Sequence, residues 1–472
     1  MLVLDRPETF RLFENRMRRY ASVARLRKFA MAAFAVTCLS LAAIRPSAPV
    51  CAVGYDELAA HWAPVFYQDV NSTYGYKADF LTNFNYDGDW AGNNNWENLS
   101  SYNLYSYVYY SVVETQTHYF IGYYTYHPRD DGPTSLDKHE NDMEGVMLVI
   151  RKDGSTYGSF QLMETVAHNQ FYQYTNDSNI STGSDNVDGG VLFSNGRPCV
   201  FIQANGQSPW GGHGVYAWDG SGAPGGDGIV YVYGGSADTV TDATGDYTHT
   251  YSYALLSIDD LWSRRTDIGD GHTFGSWGAL DGDTYQTDAA KLPWAWDDPD
   301  DGPTFTGDFI ADPAHLIDTH LNGLGTFSHE YVYHPYYTHR LSVSSVTSLA
   351  DRDPFGNGSD IYVKMIASGV AHSDDRLWKK NDASVNTSYS VTWGTMDAGF
   401  AGQYSSSYNT RYVAVPPNST VTIEINDSDG TSGDDQMGSL TASPSVGQTV
   451  NWTNALTSNG QARVTATVEA VR

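Results

Sequence analysis

Residues 137–150 read DKHENDMEGVMLVI, so His139, Asp142 and Glu144 crowd together at the start of an unbroken apolar run. Asp142 and Glu144 are two positions apart, and on a strand that spacing turns both carboxylates to one face. His139 is expected in the preceding loop, folded back toward them. Two more histidines are candidates for the same centre. His118, in ETQTHYF, is expected to share a strand face with Glu114 and Gln116. His213 sits between glycines in WGGHGVYAW, where backbone can approach a ligand closely. Carboxylate oxygens with one or two imidazoles suit calcium, magnesium or manganese, and less often zinc. The competing reading is a polar turn that caps a core strand, with Asp142 and Glu144 bonded to backbone amides.

A second acidic signal lies near the C-terminus. The stretch DRDPFGNGSDIYVK carries Asp351, Asp353 and Asp360, and INDSDGTSGDDQMG carries Asp427, Asp429, Asp434 and Asp435. Each loop adjoins an expected strand end. Calcium takes about six to eight oxygens at ~2.3–2.6 Å, which two loops at one end of a sandwich can supply from both sides. Carboxylates gathered that closely repel one another unless a cation lies between them.

Other motifs carry less. Asp87 and Asp89 in NYDGDW are expected as turn residues, and WAWDDPDDGP (294–303) as a solvated loop anchored by tryptophan. In HEYVYH, His329 and His334 are five residues apart, off the spacing of a zinc-protease helix. No nucleophile elbow, phosphate-binding loop or dinucleotide fingerprint is present.

The elements that must position these residues are strands. Runs rich in Tyr, Val and Ile occupy 101–113, 117–127, 144–152 and 158–168, with shorter ones at 198–204 and 228–233. Short helices are expected at 56–63 and 312–321. A further series of strand-like runs begins near Arg340 and continues to the C-terminus. The expected fold class is all-β, with two β-sandwich domains at 53–339 and 340–472.

Residues 1–52 differ in kind. A basic stretch precedes FAMAAFAVTCLSLAAI, and small residues flank Cys51, the pattern of a secretory signal cleaved after Ala52. Translation could start at Met1 or at Met17. The chain's net charge is −28, and its first 52 residues hold nine basic and three acidic side chains, which leaves −34 on the remainder. Such a surface repels nucleic acid, and anionic membranes too unless cations bridge the gap. Of three cysteines only Cys199 lies beyond the signal, so no internal disulfide is expected there. No later segment is long and apolar enough to span a membrane.

The two acidic loops resemble those of C2 domains, the calcium- and phospholipid-binding β-sandwiches. SDIYVK (359–364) stands where that family has SDPYVK, and Asp427, Asp429, Asp435 and Gly438 fit its third-loop spacing. The resemblance implies calcium ligands at Asp353, Asp360, Asp427, Asp429 and Asp435. Because the first loop is about one residue longer, it leaves open whether Asp351 or Asp353 ligates. The trio H-x-x-D-x-E-G-V, with GGHGVY further on and HWAPVFYQD (61–69) before it, resembles two related groups. These are the vacuolar-protein-sorting-associated protein 62 family and the necrosis-inducing-protein family, with Met143 where Trp is usual. What that resemblance implies is a second divalent cation in a β-sandwich that engages lipid or glycolipid surfaces.

The function expected from these residues is secretion and calcium-dependent attachment to a lipid or glycolipid surface. The alternatives are a metal-dependent hydrolase, with Asp142 or Glu144 as general base, and calcium that only staples the fold.

Overall fold

The computed structural model describes residues 53–472 apart from 136–137, 169, 207–211, 299–306, 353–357, 369–375, 392–412 and 429–433. The signal segment, Asp353 and Asp429 therefore lie outside the described residues.

The chain is all-β: 46% of the described residues are strand and 10% helix. One long curled sheet dominates the first part. In spatial order it runs β11 (Val215–Ala217), β10 (Arg197–Ile202), β1 (Val65–Asp69), β12 (Gly228–Tyr233), β13 (Asp246–Ser257) and β2 (Tyr107–Thr115). It continues through β3 (His118–Asp130), β4 (His139–Arg151), β5 (Ser159–Ala167), β6 (Gln170–Tyr174) and β8 (Val187–Gly189). With β9 (Phe193–Ser194) on β10 and β17 (Tyr331–Tyr333) on β2, the sheet has 13 strands. Two small ribbons accompany it: β7 (Ser181–Thr182) with β16 (Leu321–Asn322), and β14 (Phe274–Ser276) with β15 (Ala279–Leu280).

The run GVMLVI is apolar at every position because β4 is covered on both faces. Met143, Met147 and Val149 join a core with Trp294, Trp296 and Phe309, while Val146, Leu148 and Ile150 are fully buried on the other side. The helices Tyr55–Trp62 and Pro313–His320 fall close to the expected positions.

The C-terminal part has two facing sheets. One holds β21 (Ser388–Ser390), β18 (His339–Ser348), β26 (Ala462–Ala470) and β25 (Val450–Leu456), with β22 (Val413–Val415) also on β18. The other runs β20 (Arg376–Ala383), β19 (Ser359–Ala367), β23 (Val421–Asp427), β24 (Asp435–Ala442). Alternate residues point inward, so Leu341 and Val343 meet Val363, Met365, Ile423 and Ile425 in one core. No helix among the described residues is long and apolar enough to cross a membrane.

Two local expectations need correction. β4 begins at His139 rather than Glu144, so the acid-and-histidine stretch is strand and not loop. Its ladder with β3 runs from His118↔Arg151 to Asp130↔His139, and that long pairing overrides the turn-like composition of HEND. Asn141 absorbs the irregularity in a left-handed conformation, φ 60°, which asparagine tolerates better than most side chains. ETQTHYF is not one strand either: β2 ends at Thr115 and β3 starts at His118, so Glu114 and His118 sit on the two arms of a hairpin.

Candidate functional site

The β3–β4 hairpin brings Asp130, His139, Asp142 and Glu144 to one end of the long sheet. Asp130 and His139 are register partners, and His139 Nε2 lies 3.3 Å from Asp130 Oδ2. His139 Nδ1 is 2.6 Å from the Asn141 carbonyl, so Nδ1 donates and Nε2 is the atom turned toward Asp130. Burial pulls the His139 pKa down, but the hydrogen bond and charge of Asp130 outweigh it, and the pKa rises to about 9.

Asp142 Oδ2 accepts from His213 Nδ1 at 2.8 Å. The opposite ring nitrogen, Nε2, lies 3.1 Å from Asn205 Nδ2 and 3.4 Å from Asp79 Oδ1. His213 is wholly buried and stacks on His127 with ring centroids 3.6 Å apart. Burial disfavours its charge, yet Asp142 and Asp79 raise its pKa to about 10. For Asp142, burial likewise opposes the charge, but His213 holds the carboxyl below the usual range. Glu144 has the opposite fate. Burial and then the Asp142 charge push its pKa well above the ordinary value, although Oε1 accepts from His168 N at 2.8 Å.

These contacts sort the expected residues. His139, Asp142 and Glu144 lie at the same end of the hairpin, and Asp130, which the sequence reading missed, is the partner of His139. Its signal was available in YHPRDD, which ends the strand opposite His139. His213 does reach the centre, but both its nitrogens face protein groups, so it orients Asp142 in the manner of a metal ligand's supporting partner. His118 does not reach it. It pairs with Arg151 at the far end of the hairpin, roughly 30 Å along the strand from His127 at ~3.3 Å per residue. Its Nδ1 meets Thr117 Oγ1 and its Nε2 meets Gln161 Oε1, and burial lowers its pKa to about 4. His118 is a satisfied core histidine.

The hairpin end is acidic and poorly solvated, but no three of its groups bring their ligand atoms within 4.8 Å of one another, so it is not a closed cation site as it stands. Asp130 Oδ1 is buried with no hydrogen-bond partner among the described residues. Asp130, Asp142 and Glu144 are each only 7% exposed, so water screens their mutual repulsion poorly. Gly212, with φ 86°, lets the backbone approach: a Cβ there would fall 2.8 Å from Asp130 Oδ2.

At the end of the C-terminal sandwich, Asp360 N donates to Asp427 Oδ1 at 2.6 Å, and Asp427 is fully buried. Asp435 is the register partner of Asp427 across β23 and β24, and it is exposed. Asp434 Oδ2 accepts from Tyr362 OH at 2.8 Å. Asp351 is exposed beside Arg352, whose guanidinium stands 3.9 Å from Asp435 Oδ2. Asp360 already has company: Oδ1 accepts from Asp382 N at 2.9 Å and Oδ2 lies 3.7 Å from Lys379 Nζ. Asp360, Asp427 and Asp435 are thus neighbours on β19, β23 and β24, although their carboxylate oxygens do not all lie within 4.8 Å of one another.

The remaining motifs resolve simply. Asp89 N donates to Asp87 Oδ1, as in a turn. His334 is buried with Nε2 2.7 Å from the Ala311 carbonyl. Cys199 is a buried thiol on β10.

In class, then, this is an all-β protein with acidic clusters at the ends of its sheets. No protein-family model matches the sequence, and no curated protein matches it significantly. Solved structures do resemble parts of it. A C2 domain aligns at 16% identity and TM-score 0.20, over 28% of this chain and 97% of its own. The structure titled "Toxin fold for microbial attack and plant defense" aligns at 14% identity and TM-score 0.24, over 43% of this chain and 73% of its own. A non-toxic HaNLP3 protein aligns at 14% identity and TM-score 0.24, over 47% and 88%.

Proposed function

We propose that this is a secreted protein that attaches through calcium to a lipid or glycolipid surface. The observation that supports the reading is the placing of Asp360, Asp427 and Asp435 on neighbouring strands at one end of a two-sheet sandwich. Loop residues Asp351, Asp353 and Asp429 stand beside them in sequence, giving enough oxygens for a calcium ion. Such an ion bridges loop carboxylates to lipid phosphates and overcomes the repulsion between an acidic protein and an anionic surface.

Liposome co-sedimentation tests the proposal. Residues 53–472 should pellet with anionic vesicles in calcium and stay in solution with chelator. Asp427→Asn combined with Asp429→Asn should abolish pelleting while the melting temperature without calcium is kept. Folded wild-type protein that fails to pellet in either condition would sink the reading.

Glu144 favours a second reading. A buried carboxyl whose pKa is raised beside a depressed one is the arrangement of an acid–base pair. If the long sheet is a metal-dependent hydrolase, Glu144→Gln abolishes turnover and leaves vesicle attachment intact. If both sets of substitutions only lower the melting temperature, calcium is structural.

A further inference from the structure

The described part of the acidic segment WAWDDPDDGP, residues 294–298, is not a solvated loop. Trp294 and Trp296 anchor it as expected, each 1% exposed, but Asp298 is wholly buried. It comes to rest against His320, the last residue of the helix Pro313–His320, and Asp185, in the connection between β7 and β8. One potential ligand atom from each of the three lies within 4.8 Å of the others. We infer that Asp185, Asp298 and His320 form a buried site for a zinc-class divalent cation, separate from the acidic ends of both sheets.

The geometry has the marks of a built site. His320 Nε2 is 3.8 Å from Asp298 Oδ2. Ligand atoms around a tetrahedral zinc stand roughly 3.4 Å apart when each is ~2.1 Å from the metal. His320 Nδ1 is 3.1 Å from Glu164 Oε2. Gln173 Nε2 lies 3.3 Å from both Nδ1 and Glu164 Oε2 and donates to the carboxylate, which leaves Nδ1 to donate to Glu164 as well and Nε2 as the nitrogen turned toward Asp298. Carboxylate–imidazole–metal relays hold metal-binding histidines in this way. Glu164 supplies a second, independent observation. It is fully buried, and its Oε1 has no hydrogen-bond partner among the described residues. An orphaned carboxylate oxygen at 0% exposure calls for a water or an ion to satisfy it.

The backbone fixes the other two ligands. Asp298 Oδ1 accepts from Phe171 N at 3.2 Å, and Asp185 Oδ1 from Asn186 N at 2.6 Å, so both carboxylates are oriented. Asp185 N and Gly183 N both donate to the His320 carbonyl, at 3.2 and 2.9 Å. A Cβ on Gly183 would fall 2.5 Å from that oxygen. Only glycine lets the two segments close so tightly, and the β7–β16 ribbon begins at once beyond them. Imidazole with two carboxylates in a dry pocket suits zinc or manganese better than calcium, which prefers oxygens alone. The cation would tie three distant segments together where the described residues hold no disulfide.

Crystals of the full chain soaked in zinc chloride give the direct test. An anomalous difference peak at the zinc edge, about 2.0–2.2 Å from His320 Nε2, is the expected result. In solution, metal analysis after dialysis should find this zinc retained by Asp142→Asn, which alters only the hairpin centre, and lost from Asp298→Asn. Glu164→Gln should weaken zinc binding by ~10–100-fold while leaving the fold intact, as expected of a residue that orients a ligand. Near-UV circular dichroism identifies any variant that has failed to fold, and the anomalous map needs no variant. No anomalous peak beside His320 Nε2, the same amount of zinc retained by folded Asp298→Asn as by wild type, or occupation of this site by calcium in preference to zinc and manganese would each overturn the assignment.

Discussion

At Asp142 and Glu144 the same burial produces opposite outcomes, because only one of them has a cationic partner. Asp142 is held ionised by His213, whereas Glu144 meets a backbone amide and a neighbouring negative charge. Asp69 shows the unpartnered case in plainer form. It is 3% exposed, its Oδ1 has no hydrogen-bond partner among the described residues, and burial with the charges of Asp79 and Asp227 pushes its pKa up to about 8. Between its ordinary value of 3.8 and about 8 the folded chain holds a proton that the unfolded chain has released. Stability from this group therefore falls as pH rises through that window. Asp69→Asn, which has nothing to ionise, should melt close to wild type near pH ~4 and above it near pH ~8.5. A constant difference in melting temperature across the range would show that Asp69 does not titrate in this way.

At the scale of the element, the β3–β4 hairpin is the device that makes the first centre. Its sequence signal was strong in the apolar half of β4 and misleading in the polar half, where HEND suggests a turn. Cross-strand pairing to Asp130 decided the matter, and Asn141 carries the cost. Its side chain accepts from Asn95 and Tyr126 and donates to the Gly92 and Asp281 carbonyls, all within a buried site. Asn141→Ala should therefore lower stability by about 3 kcal/mol or more, since several buried groups lose their partner. Asn141→Gly loses the same bonds but relieves the left-handed backbone, and should recover about 1 kcal/mol relative to alanine. Urea unfolding midpoints of the two variants measure that difference, and equal midpoints would deny strain at Asn141. His118 illustrates the converse limit. Its residue type and its neighbours suggested a ligand, but a hairpin turn unseen in the sequence sent it to the opposite end of the sheet.

For the whole molecule, the charge of −28 makes cations the natural counterpart of its acidic clusters. The chelator arm of the vesicle experiment reads this directly, because without calcium repulsion should keep the protein from anionic lipid, and more so at low salt. By itself the sequence determined the all-β class, because period-two patterning and aromatic-rich strands are local properties. It also made legible the strands that flank the two C-terminal Asp-bearing stretches, Ser359–Ala367 and Val421–Asp427, since their apolar alternation is local too. Tertiary structure alone decided which distant groups meet. Asp130 joined His139 through a ladder, His213 became a support for Asp142, and Asp298 left its acidic loop to lie against His320. Such meetings depend on sheet curvature and on close backbone approach at positions like Gly183. Neither leaves a periodic trace along the chain, because each is set by segments that sequence spacing cannot bring together.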